Sequence, residues 1–178
     1  MRFMKRYLSS IAILGLLAAP ASYALDDDFK QKIVVDAGRQ EVSLKENRVT
    51  FYDDVEVTQG SIKMNADQLS VIGSEEAGSE VMIAQGQPAT FYQMMENGKP
   101  IEAEAHEIRY ELATRTLTLT KQAELKQEES LVRGEMIRYS IDLQEMVAQG
   151  GENSRVTTIF LPQQLEELEQ YQQQGNQE

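Results

Sequence analysis

The stretch Ser61–Val71 constrains this chain more than any other. Ile62, Met64 and Ala66 alternate with Lys63, Asn65 and Asp67, the period-two pattern of a strand with one buried face. After Ala66 the apolar residues fall on the other parity, at Leu69 and Val71. A slip of one residue turns every later side chain to the wrong face unless the chain bends or bulges. The spacing therefore predicts a corner near Ala66-Asp67-Gln68, where a small residue suits backbone crowding backbone.

The same grammar recurs. Ile101, Ala103 and Ala105 precede Ile108, Tyr110 and Leu112, while Val132 and Gly134 precede Ile137, Tyr139 and Ile141. Ile33, Val35 and Ala37, followed by Val42 and Leu44, form a less regular version. The small residues Ala37, Ala66, Ala105 and Gly134 are separated by 29, 39 and 29 positions, the longer gap holding the Gly73–Ser79 loop and a hairpin. Four strand-corner-strand units imply an all-β fold of repeated bent antiparallel strands. Val49–Phe51 and Val55–Val57 flank a turn or bulge at Asp53-Asp54, as Leu117–Leu119 and Ala123–Leu125 flank Lys121-Gln122. Val81 and Ile83 begin a strand that Gly86-Gln87-Pro88 interrupts, and Asn97-Gly98 predicts a hairpin turn, since both residues tolerate positive φ. Val156–Leu161 is a last strand, stopped by Pro162, and Leu165 and Leu168 suggest a short frayed helix.

Residues 1–24 have the form of an export signal. Arg2, Lys5 and Arg6 precede an apolar core, and Ser22-Tyr23-Ala24 predicts cleavage after Ala24; an uncleaved anchor is the rival reading. The apolar core is shorter than the roughly 20 residues of a membrane span. Residues 25–168 then form one domain, and 169–178 a polar, glutamine-rich tail expected to be disordered. Asp26–Asp28 is expected to be a solvated lead-in. Without the three basic signal residues the formal charge is 14 − 29 = −15, a surface that repels polyphosphate and argues against nucleic acid as a partner.

No catalytic constellation emerges. The chain has no cysteine and one histidine, His106, which excludes Cys-His chemistry, disulfides and thiolate metal sites. His106 shares a face with Glu102 and Glu104, but same-face strand neighbours lie about 7 Å apart against metal bonds of about 2 Å, so no metal is expected there. No cofactor is implied. A carboxylate pair for glycoside cleavage is conceivable among 29 acidic residues, but the chain has no tryptophan for sugar stacking. What remains is an interior of Ile, Val, Leu, Met, Phe and Tyr. It is either a self-packed core, giving a structural scaffold without lipid, or a trough for an acyl chain. At about 0.8 kcal/mol per buried CH₂, a chain of about a dozen carbons gains about 10 kcal/mol before ordering costs.

Several strings resemble the LptA (OstA-like) family of periplasmic lipopolysaccharide transport proteins: Val49-Thr-Phe51, Val55 through Asp67, Gly86-Gln-Pro-Ala-Thr-Phe-Tyr-Gln-Met94, Asn97–Pro100, Tyr110-Glu-Leu112 and Arg155–Thr158. The resemblance runs from about Phe29 to Leu165, excluding the Gly73–Ser79 loop and the tail. It implies a slightly twisted β-jellyroll open at both ends, non-enzymatic, located in the periplasm and stacking head to tail as a homo-oligomer. It also implies partners: lipopolysaccharide through its lipid A acyl chains, an LptC-like inner-membrane-anchored protein and an LptD-like outer-membrane translocon. By motif position Ile33, Val35, Phe91, Tyr110 and Leu112 fall where that family lines its groove. Parity alone independently places Ile33, Val35, Tyr110 and Leu112 on apolar faces. An open sheet leaves unpaired edges that a second copy or a partner can extend. The expected edges are Ile33, Val34 and Val35 at one end, and Val156, Thr157, Thr158, Ile159 and Phe160 at the other.

Overall fold

A computed structural model describes residues 25–74 and 78–160. The expected signal segment, the C-terminal helix at Leu165 and Leu168, and the glutamine-rich tail lie outside the described residues. A 3-10 turn, Leu25–Lys30, leads into ten antiparallel strands. These are β1 (Val34–Asp36), β2 (Arg39–Ser43), β3 (Arg48–Gln59), β4 (Ile62–Ile72), β5 (Val81–Met94), β6 (Pro100–Glu111), β7 (Thr116–Gln127), β8 (Ser130–Ser140), β9 (Glu145–Gln149) and β10 (Thr157–Ile159). They form one unclosed sheet ordered β1-β3-β4-β5-β6-β7-β8-β10, with β2 also on β3 and β9 also on β8.

Each of the six long strands is bent near its middle, and the pairing register shifts there: Tyr52/Val55, Asn65/Gln68, Gln85/Ala89, Glu104/Glu107 and Thr120/Ala123. The bends are made in three ways. In β3 and β7 a pair of left-handed residues makes the bulge, Asp53 and Asp54 (φ 68° and 56°) and Lys121 and Gln122 (φ 64° and 53°). In β4, β6 and β8 the bend falls at the expected small residue, Ala66, Ala105 or Gly134. At Gly134 the crowding is direct, since a Cβ would stand 2.8 Å from the carbonyl oxygen of Gln149 in β9. β5 does not stop at Gly86-Gln87-Pro88; it bends there and continues. The corner between β1 and β2 lies at Gly38, beside the expected Ala37, where Gly38 N–H donates to the Asp53 carbonyl at 2.9 Å.

The bends align, so the sheet folds over on itself along one line. One half-sheet carries β1, β10 and one arm of every long strand (55–59, 62–66, 89–94, 100–105, 123–127, 130–134). The other carries β2, β9 and the remaining arms (48–52, 68–72, 81–85, 107–111, 116–120, 136–140). The parity switch across each bend turns the apolar side chains of both arms inward, into a single buried cluster. Opposite the fold line the hairpin turns of the two halves face each other across a seam. At 95–99 the turn closes through Gly98 N–H to the Met95 carbonyl with only Gly98 at positive φ (76°). The expected Asn97-Gly98 hairpin turn is thus present, as a type I turn ended by a glycine bulge in which Gly98 alone takes a positive φ.

Candidate functional site

The interior is built from rows of side chains that cross the sheet strand by strand. In the first half-sheet one row runs Val35–Val57–Met64–Phe91–Ala103–Leu125–Val132–Thr158, from β1 to β10. In the second, a row runs Val42–Val49–Val71–Met82–Tyr110–Leu117–Tyr139–Met146, from β2 to β9. The rings of Phe91 and Tyr110 meet across the fold with centroids 5.9 Å apart, joining the two halves. Phe91 and Tyr110 are therefore both in the lumen, each 2% exposed. Val35 and Leu112 are partly buried against the same cluster. Ile33 stands apart, 40% exposed just ahead of β1, so the structure does not gather it with the other four.

The lumen is filled by the chain's own side chains: Leu69, Ile101, Ile108, Leu117, Leu119 and Ile137 have no exposure. At its two ends it is not sealed by further strands among the described residues. Val42 and Met146 terminate an inward-facing row yet are exposed, because β2 and β9 have no outer neighbour. β1 and β10 likewise pair on one side only, and Val34, Val156, Ile159 and Phe160 are exposed, as are Thr157 and Thr158. Leu44, expected to continue the first unit inward, sits in the turn after β2 and is 90% exposed.

The sequence signal missed the strap that crosses the seam. Asp28, expected in solvent, is buried and accepts two hydrogen bonds from Ser61, one from its backbone N–H at 2.7 Å and one from its hydroxyl. Gln59 Nε2 donates to the carbonyls of Phe29 and Gln31, both at 3.3 Å. On the opposite rim the Arg115 guanidinium stacks over the Phe29 ring at 3.9 Å and pairs with Asp142 at 3.0 Å. Residues 28–31 thus tie the turn of one half-sheet to the turns of the other. The hint in the sequence was Gln59-Gly60-Ser61: Gly60 has φ 59°, and a Cβ there would overlap the Asp28 carboxylate. Beneath the strap is a recess of about 250 Å³ lined by Phe29, Gln93, Met95, Arg115, Ile141 and Asp142, among others. That is smaller than the roughly 300–1,000 Å³ of a typical ligand pocket, so it holds one end of a chain at most.

On the outer face Lys126 pairs with Glu102 at 3.5 Å, and Arg133 with Glu124. No group of three or more metal-ligating side chains occurs among the described residues.

A family model described as the LptA/LptD N-terminal domain of lipopolysaccharide transport proteins matches residues 34–145. The lipopolysaccharide export system protein LptA of Haemophilus influenzae is 39% identical over 168 residues, covering 92% of this chain and 98% of that protein. LptA of Escherichia coli K12 is 40% identical over 172 residues, covering 94% and 92%. The crystal structure of LptH, the LptA-homologous periplasmic component of the lipopolysaccharide transport device of Pseudomonas aeruginosa, superposes with a TM-score of 0.70 at 25% identity. That match spans 76% of this chain and 99% of the other.

Proposed function

Because this chain belongs to the LptA/LptD N-terminal family of lipopolysaccharide transport proteins, we propose that it binds lipopolysaccharide and carries it across the periplasm. The carrying observation is the uninterrupted inward row from Val35 in β1 to Thr158 in β10, apolar over nearly its whole length, which ends at an unpaired edge on both sides. Joined edge to edge with a further copy, such rows run on from one domain into the next. β1 with Ile33, Val34 and Val35 then adds to β10 with its flanking Val156 and Phe160. The end partners are an LptC-like inner-membrane protein and an LptD-like outer-membrane protein, and the chain itself works without catalysis or cofactor, after cleavage at Ala24.

With the lumen filled, cargo enters by parting the half-sheets along the seam, with the fold line as hinge and the strap as latch. The acyl chains then replace contacts now made between the two halves around Phe91, Tyr110 and Leu112. Headgroup phosphates stay outside, since the rim cations Arg115 and Lys99 are already paired with Asp142 and Glu128. The filled interior favours a second reading, a periplasmic scaffold that takes no lipid. Titration with lipid A or a fluorescent acyl probe separates the two. Uptake that Phe91→Asp and Leu112→Asp abolish in folded protein supports the groove; absence of uptake, or indifference to both changes, leaves the scaffold.

A further inference from the structure

Among the described residues, three buried polar atoms in this apolar lumen have no hydrogen-bond partner: Gln93 Oε1, the Tyr110 hydroxyl and the Tyr139 hydroxyl. The residues are 4%, 2% and 2% exposed, so bulk water does not serve them. Burial raises the pKa of both phenols, which stay neutral donors at any physiological pH. Leaving such groups unpaired is unfavourable, and buried side-chain polar atoms are rarely left that way.

Their placement is ordered. Tyr110 and Tyr139 stand in one row with Leu117 between them, each within a few residues of a turn on the seam. Gln93 faces inward from the other half-sheet, next to the turn 95–99, and lines the recess under the strap. It belongs to an inward row of its own, Gln93–Ile101–Gln127, and Gln59, Gln93 and Gln127 recur every 34 positions along that rim. Deeper rows, toward the fold line, are apolar: Leu69, Ala84, Ile108, Leu119 and Ile137 lie side by side. The lumen is thus layered, with polar groups at the seam and hydrocarbon below.

The geometry points to a subsite at the seam for the polar linkage of an acyl chain, one that carries a hydrogen-bond donor as well as a carbonyl, such as a β-hydroxyacyl or amide-linked chain. It rests on the groove reading above and adds a chemical selectivity to it. Gln93 Oε1 can only accept, so its partner must bring an O–H or N–H; the phenols can donate to a carbonyl or accept from a hydroxyl. A plain ester-linked chain supplies acceptors only and leaves Gln93 unanswered.

The test is competition of 3-hydroxytetradecanoate and tetradecanoate against a fluorescent acyl probe on the purified full chain. One hydrogen bond gained at a site otherwise unpaired predicts about a five- to tenfold preference for the hydroxylated acid. Gln93→Met, and separately Tyr110→Phe/Tyr139→Phe, remove the polar atoms at nearly constant volume and should bring the ratio of the two affinities toward one. A ratio near one in the unaltered chain, or a preference that survives both variants, overturns the subsite while leaving the groove intact. Failure of both acids to displace the probe removes the groove reading and this one with it.

Discussion

Replacing Asp28 by alanine isolates the strap from the sheet. The carboxylate takes two charge-assisted hydrogen bonds from Ser61, and it is buried enough that they are not screened away. Bonds of this kind contribute about 1.5–3 kcal/mol each. The freed Ser61 N–H and hydroxyl find water once the strap lifts, so a net loss of about 2 kcal/mol is the reasonable figure. That corresponds to about a 30-fold increase in the open population of the seam. The remaining ties, Gln59 to two carbonyls and Arg115 on Phe29, are untouched and keep the closed form dominant. Because the strap adds no strand to the sheet, the melting temperature should move by only a few degrees. Hydrogen exchange reads the effect at the Ser61 and Met94 amides, which donate to Asp28 and to the Ser61 hydroxyl. Stopped-flow uptake of a fluorescent fatty acid reads it in function, with a faster rate expected. Unchanged exchange and uptake would refute the latch; so would a large drop in melting temperature with no change in uptake, which would make the strap a structural brace.

Further outcomes follow from the same geometry. Val34→Lys combined with Ile159→Lys places like charges on the two proposed mating edges; both residues are nearly half exposed, so the fold should hold while concentration-dependent rods disappear from scattering profiles. Tyr139→Phe deletes an unpaired buried hydroxyl and should raise the ligand-free melting temperature by about 2–4 °C, from about 1 kcal/mol at this chain length. Acyl-probe affinity should change little between 50 and 500 mM salt, whereas a steep loss would mean phosphate capture by basic residues. Gly134→Val should destabilise strongly, as its Cβ runs into the Gln149 carbonyl; an unaltered melting curve would contradict the bend geometry.

The repeat grammar was legible because parity is a local property. Ile62 and Met64 against Leu69, and Ile101 and Ala103 against Ile108 and Tyr110, state both the buried face and the place where it switches. The bends in β3 and β7 were legible too, as Asp53-Asp54 and Lys121-Gln122 each stand between two apolar runs of one parity, although the paired positive φ that makes them bulges was not. Leu44 misled because an apolar residue in an exposed turn looks the same in sequence as one in the core, whereas Val42 faces inward but is exposed at an unpaired end. The strap was illegible: Asp28 reads as a solvated charge until Ser61, 33 positions away, is brought beside it. Phe91 entered through family likeness, and its ring contact with Tyr110 depends on the whole sheet folding over.

Every long strand belongs to both half-sheets, so the two walls cannot slide past one another; they can only swing. The width of the lumen is then fixed by the five or six residues in each strand arm, and its length by how many strands stand side by side. Those two dimensions are set independently. In the proposed edge-to-edge stacking, a copy added at either end would lengthen the row of apolar side chains while the width stays the same, so one cargo cross-section would suit any number of links.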